Sequence, residues 1–160
     1  MEELNIGKLE EYVDESDTVL IFASSGYFER RNCIRELRRA VESGKRIITM
    51  LELETKRGGL TKEQVEERLR TSPHISSAEE GEKLVKGLFK YPLIEWNRLS
   101  AFQSVTIKLI AQRVLEEEGS KIELYSRSDL TRRKSWLRLP KPRDGKRFHL
   151  FVSQHNAGAD

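Results

Sequence analysis

The chain is poor in the residues that build disulfide-stapled, metal-bound or membrane-spanning folds. Its 160 residues include a single cysteine, Cys33, so an internal disulfide is excluded. One cysteine and three histidines do not form the paired ligand spacing of a zinc site. No apolar run approaches the roughly 20 residues that a membrane span requires. The N-terminus is acidic where a signal peptide is basic and then apolar, so a cytoplasmic location is expected.

Positive charge is concentrated in one segment. Residues 127–147 hold nine Lys or Arg and two Asp, a formal +7 in a chain whose total is +3, so the remainder totals −4. Arg132, Arg133 and Lys134 beside Trp136 are suited to phosphate contact and base stacking. A solvated linker is the favoured interpretation, and nucleic-acid binding is not expected.

Short apolar runs alternate with segments of helical periodicity. Residues 19–22, 47–51 and 92–96 are typical of buried strands, and a further strand is expected at Phe148–Ser153. A capping box of Thr61 and Gln64 predicts a short helix, and residues 70–82 are expected to form a loop. The other helices are expected at residues 6–13, at 28–43 with Gly44 as its cap, in a turn or two at 84–89, and from Ser100 onward.

Strands that alternate with helices indicate a parallel sheet with helices on both faces. The predicted fold is α/β, a flavodoxin-like doubly wound sheet that is incomplete or permuted. Its organisation is expected to be a domain over residues 1–118, a basic linker or arm over 119–147, and a strand in 148–160. That strand either returns to pair with the first three or belongs to a longer assembly of which the chain is a piece. Trp96 and Phe102 are expected to pack in the core.

Two motifs and several flanking segments carry a family resemblance. Residues 17–28 contain a strand followed by a serine-bearing loop, and residues 32–37 read Asn-Cys-Ile-Arg-Glu-Leu. They resemble the third strand and the Cys-x-x-Glu-Leu helix signature of the Toll/interleukin-1 receptor (TIR) domain family. Residues 44–50 are similar to the fourth strand of that family, and 148–153 resemble its first strand.

The segments come in a displaced order. The strand that normally opens a TIR domain comes last here, at residues 148–153. The first helix, the second strand and most of the so-called BB loop have no counterpart. A truncated domain, a circular permutation, and a chain cut across two tandem TIR-like domains each explain this order.

The resemblance implies a catalytic role for Glu36. Many TIR domains cleave the bond between nicotinamide and ribose in NAD⁺ with one glutamate of this helix. The transition state is oxocarbenium-like, so a carboxylate stabilises it, and the cationic leaving group requires no general acid. NAD⁺ is thus the implied substrate, and no cofactor or metal is implied. The alternative is a solvated glutamate paired with Arg35 or Arg39.

Five further residues are candidates for substrate binding. Ser24, Ser25 and Gly26 follow a strand end, where doubly wound folds bind ligands, although turn chemistry also explains them. Cys33 lies one turn before the candidate glutamate, either lining a pocket or buried as a core thiol. Ser153 ends the strand whose family counterpart contributes to the nucleotide pocket.

The resemblance implies a signalling module that acts by self-association or by association with other TIR domains, and NAD⁺ glycohydrolase activity goes with it in many members. Two alternatives stay open. One is a non-catalytic interaction domain of the same fold. The other is a nucleotide-binding α/β protein unrelated to signalling.

Overall fold

A computed structural model describes residues 6–115 and 144–154 of the chain. These residues form an α/β fold, as the alternating pattern predicts. The elements, in chain order, are α1 (Ile6–Asp14), β1 (Ser16–Ala23), α2 (Ser25–Glu29), α3 (Arg31–Glu42), β2 (Arg46–Glu52), a 3-10 turn (Thr55–Arg57), α4 (Lys62–Thr71), α5 (Ala78–Leu88), β3 (Ile94–Trp96), α6 (Ser100–Leu115) and β4 (Phe148–Ser153).

The four strands form one all-parallel sheet in the order β3-β2-β1-β4. Val19 of β1 pairs with Ile47 of β2 on one side and with Phe151 of β4 on the other. The strand predicted at Phe148–Ser153 is therefore confirmed, and it lies directly beside the first strand. This small sheet, flanked by helices, is compatible with a flavodoxin-like fold that is incomplete.

The larger core lies between the sheet and helices α1 to α5. Val19 and Ile21 of β1 are fully enclosed there, as are Ile34 and Leu37 of α3. Burying each of these side chains stabilises the fold by about 1.5–3 kcal/mol. This packing fixes the position of α3, the helix that carries Glu36, against β1.

The opposite face of the sheet packs against α6. Trp96 contacts this smaller core, as predicted, but the same prediction for Phe102 is wrong because Phe102 is 52% exposed. Helix α6 is apolar on most sides, so periodicity does not show which side meets the sheet. The members of this core are Leu20, Ile48, Met50 and Ile94, with Phe22, Trp96, Ile110, Val114 and Leu150 packed against them.

The helix predicted over residues 28–43 is in fact two helices. The backbone is extended at Arg30 (φ −98°, ψ 124°), which ends α2 and precedes α3. The break allows both Tyr27 and Phe28 to be buried, with their rings edge-on and the centroids 5.2 Å apart. Gly44, the predicted cap, adopts φ +61° after α3, a conformation that glycine takes without strain.

The predicted capping box at the start of α4 is confirmed. The backbone N–H of Gln64 donates to Thr61 Oγ1 at 3.3 Å, and the backbone N–H of Thr61 donates to Gln64 Oε1 at 2.8 Å. The loop predicted over residues 70–82 is shorter than expected. Ser77, counted there as a loop residue, caps a helix that begins at Ala78.

Some predictions concern residues beyond the described ranges. Most of the basic segment 127–147 and the last residues of 148–160 lie outside them. Within residues 6–115 and 144–154, no helix combines the length and apolar character that a membrane crossing needs.

Candidate functional site

The direction in which the chain adds strands reverses at β1. From β1 the chain moves to β2 and β3 on one side, and β4 returns to the other side. In open parallel sheets, ligands bind outside the carboxyl ends of the strands at such a reversal. Here this position lies between Ser24, which follows β1, and Ser153, which ends β4.

Glu36 lies on the buried stripe of α3. Cys33 comes three residues earlier and Ala40 four residues later, and both are buried on the same stripe. The Glu36 side chain is 8% exposed. A carboxyl group on this stripe therefore points toward the sheet and not toward solvent.

The two arginines beside Glu36 on α3 have other partners. Arg35 Nη2 donates to Glu10 Oε1 at 2.8 Å, and Arg39 Nη2 donates to Asp14 Oδ2 at 2.5 Å. Both pairs join α3 to α1. The alternative interpretation, a solvated Glu36 paired with Arg35 or Arg39, is therefore wrong.

Ser153 provides the hydrogen-bond partner of Glu36. Its hydroxyl contacts Glu36 Oε2 and lies 3.0 Å from the Tyr27 hydroxyl, which donates to the Cys33 carbonyl oxygen at 3.1 Å. Ser153 is 1% exposed and Tyr27 is fully buried. The structure thus brings together three of the predicted site residues, Glu36, Cys33 and Ser153, and adds Tyr27, which the sequence reasoning missed.

Burial governs the acid–base properties of this cluster. It raises the pKa of the Glu36 carboxyl above its ordinary value, and the hydrogen bond with Ser153 opposes that rise. Burial, followed by the negative charge of Glu36, raises the pKa of the Cys33 thiol to about 12. Cys33 is therefore a protonated core thiol, one of its two predicted roles, and not a reactive thiolate.

The serine-bearing segment after β1 is held by turn contacts. Ser24 is buried and precedes α2, whose first residues are Ser25 and Gly26. The Ser25 N–H donates to the Gly58 carbonyl at 2.8 Å. A Cβ on Gly58 would lie 2.5 Å from Ser25 Oγ, so the loop after β2 packs directly on this turn. These residues lie at the predicted strand end, and their described contacts are those of the turn interpretation.

Glu52 is a second buried carboxylate that the sequence reasoning missed. It ends β2 with no exposed surface. Its Oε2 accepts from Arg98 Nη2 at 2.5 Å and from Arg98 Nε at 3.1 Å, and its Oε1 accepts from the Glu54 N–H at 2.9 Å. The pair ties the segment after β3 to the end of β2. A glutamate that directly follows buried strand residues was the available signal.

A surface cleft of about 220 Å³ lies between α3 and α5 and does not include Glu36. Arg38 on its wall donates to Glu80 Oε1 at 2.5 Å, so two of its charges already pair with each other. We place the candidate site at Glu36 because its buried carboxyl contacts the end of β4, beside the point where the strand order reverses.

Comparisons with known proteins assign no family to this chain. No protein-family model, no curated protein and no solved structure matches it significantly. Among the residues that the structure describes, no group of three or more His, Cys, Asp or Glu could hold a metal ion.

Proposed function

We propose that the chain is a TIR-like signalling module that acts by association with copies of itself or with other TIR domains, and that Glu36 gives it NAD⁺ glycohydrolase activity. The observation that carries the proposal is the contact between Glu36 and Ser153. This contact brings the candidate carboxyl on α3 to the end of β4, where the order of strands in the sheet reverses.

The chemistry requires one carboxylate near the ribose. The bond between C1′ and the nicotinamide nitrogen breaks, and its electron pair leaves with the nicotinamide, which becomes neutral. Ionised Glu36 stabilises the cationic ribose, and water then adds to C1′ and loses a proton. The serine-bearing turn at residues 24–26 and the end of β4 at Ser153 are the proposed walls around the nucleotide.

Access to the carboxyl is limited in the isolated chain. Glu36 is 8% exposed, so a nucleotide reaches it only when the surrounding segments open. In enzymatic TIR domains assembly completes the site. We therefore expect NAD⁺ cleavage to depend on protein concentration.

Release of nicotinamide from NAD⁺ by the full chain, measured over a range of protein concentrations, tests the proposal. Glu36→Gln should abolish release. Glu29→Gln is the matched control because Glu29 lies on the preceding helix and pairs with Arg68 at the surface, 65% exposed. A folded, self-associating chain that releases no nicotinamide contradicts the catalytic part.

A non-catalytic interaction domain is the second candidate, and α6 favours it. Three apolar side chains on one side of this helix are more than two-fifths exposed, and an exposed apolar patch is typical of an interaction site. They are Phe102, Val105 and Leu109. Association that Val105→Lys weakens, without nicotinamide release by the wild type, supports this second candidate.

A further inference from the structure

The hydroxyl groups behind Glu36 form a chain of three contacts. Glu36 contacts Ser153, Ser153 contacts Tyr27, and Tyr27 contacts the carbonyl oxygen of Cys33. A carbonyl oxygen only accepts, whereas a hydroxyl donates one proton and also accepts. Each contact needs one proton between its two oxygens, so the complete chain needs three.

An ionised Glu36 leaves this chain one proton short. Only the hydroxyl protons of Ser153 and Tyr27 are then present. Ser153 donates to Glu36, and the one proton of Tyr27 serves either Ser153 or the Cys33 carbonyl, so one of those two contacts has no proton. Buried polar contacts without a proton are unfavourable.

A protonated Glu36 completes the chain in one direction. The carboxylic acid donates to Ser153, Ser153 donates to Tyr27, and Tyr27 donates to the Cys33 carbonyl. Every hydroxyl then both donates and accepts. Because these groups are at most 8% exposed, water has little access with which to replace the missing proton.

We propose that Glu36 carries a proton in the ligand-free chain, and that Tyr27 is a positioning residue that holds this proton by accepting from Ser153 in a one-directional hydrogen-bonded chain. When the proton leaves to solvent, the Ser153 hydroxyl reverses and donates to the new carboxylate. The inference rests on the proposed function only where it treats Glu36 as the reactive group, and it then makes that site sensitive to pH.

No charged group is among the causes that shift the Glu36 pKa, which are burial and the hydrogen bond with Ser153. Burial raises the pKa of the Cys33 thiol and of the Tyr27 phenol, so both stay neutral at neutral pH. The charged groups on the elements around the chain include Arg30 before α3, whose charge acts on Cys33, and Arg35 and Arg39 on α3 with their partners Glu10 and Asp14 on α1. Arg31, Arg38 and Glu42 on α3 and Asp17 on β1 are the others on α3 and β1.

Titration of the Glu36 side-chain carboxyl by ¹³C NMR tests the proposal in the full chain, with Glu36→Gln used to assign the signal. The wild-type pKa is expected above the ordinary glutamate value of about 4.3. Tyr27→Phe removes the acceptor beyond Ser153, so the Glu36 pKa should fall toward that value. Ser153→Ala removes the donor to the carboxylate, so the Glu36 pKa should rise further.

Opposite shifts in these two variants distinguish a proton-holding chain from mere structural support. An ordinary wild-type titration, or an unchanged or higher Glu36 pKa in Tyr27→Phe, overturns the proposal. If Tyr27→Phe does not fold, the wild-type titration still decides whether Glu36 holds its proton above the ordinary glutamate pKa. A raised Glu36 pKa without NAD⁺ cleavage removes the catalytic part of the proposed function but not this inference. NAD⁺ cleavage with an ordinary Glu36 pKa removes this inference but not the catalytic part.

Discussion

The hydroxyl of Ser153 on β4 contacts the carboxyl of Glu36 on α3, across 117 positions of the sequence. β4 therefore completes the surroundings of a residue on a distant helix. The same contact opposes the burial that raises the Glu36 pKa. The protonation state of Glu36 on α3 and the pairing of β4 with β1 are therefore thermodynamically linked.

Glu36→Gln is expected to stabilise the fold at neutral pH. Because burial raises the folded pKa of Glu36, the folded state binds more protons than the unfolded state between the two pKa values. Wild-type stability therefore falls as the pH rises from the unfolded pKa through the folded one. Gln stays neutral and donates to Ser153 as the acid does. The free energies of unfolding of Glu36→Gln and wild type should differ by about 1.4 kcal/mol for each pH unit between the folded and unfolded pKa values of Glu36.

Urea unfolding at about pH 4 and about pH 8 measures this difference. The advantage of Glu36→Gln should be larger at the higher pH. Glu29→Gln, at an exposed position, should change the free energy of unfolding by at most about 0.5 kcal/mol at either pH. An advantage that is equal at the two pH values contradicts the raised pKa.

Nicotinamide release, if Glu36 catalyses it, should increase with pH and level off above the Glu36 pKa. Only the carboxylate stabilises a cationic ribose. Tyr27→Phe should move this profile to lower pH, because it removes one partner of the protonated form. If Tyr27→Phe keeps full activity and the pH profile of nicotinamide release does not move, a group other than Glu36 controls the rate.

The local elements of this fold were predictable because their signals are local. The capping box of Thr61 and Gln64, the cap at Gly44 and the strand at Phe148–Ser153 each depend on a few adjacent residues. The break at Arg30 was not predictable from periodicity, because residues 29–32 are all polar and carry no apolar pattern across it. Burial of the Tyr27 and Phe28 rings decides that break, and it depends on tertiary packing.

The candidate site was predictable only in part. Helical spacing places Glu36 near Cys33, but the contact with Ser153 requires β4 to pair with β1, which no local pattern specifies. Tyr27 was missed because its partner is a backbone carbonyl that only the folded turn presents. Glu52 was missed because its partner, Arg98, follows a different strand.

Arg98→Ala is expected to destabilise the fold by about 1–3 kcal/mol, because it leaves the buried Glu52 carboxylate without its cation. Arg98 is 38% exposed, so we expect the effect to fall below that of a fully buried pair. Arg57→Ala is the matched control, since its pair with Glu54 lies at the surface and should contribute about 0–1 kcal/mol. Thermal unfolding of both variants measures the contrast, and equal losses contradict it.

Lys45 is expected to titrate with a pKa of about 8, well below the ordinary lysine value. Its ammonium donates to the backbone carbonyls of Asp14 at 2.7 Å and Ser16 at 2.8 Å, and Lys146 donates to the same Asp14 carbonyl at 2.7 Å. Burial, and then the neighbouring Lys146, lower the pKa of Lys45 from 10.5 to about 8. The unfolded state therefore binds more protons between these values, and stability should rise with pH across that window.

Lys146→Gln tests this assignment because it removes the second ammonium while keeping a polar side chain. The Lys45 pKa, followed by ¹³C NMR of its ε-carbon, should rise toward 10.5 but not reach it, since burial is the larger cause. The rise in stability between about pH 8 and about pH 10 should shrink accordingly. Because Lys146 immediately precedes the residues that lead into β4, the variant also reports on the anchoring of that strand. A Lys45 pKa that Lys146→Gln leaves unchanged would show that the two ammonium groups do not interact.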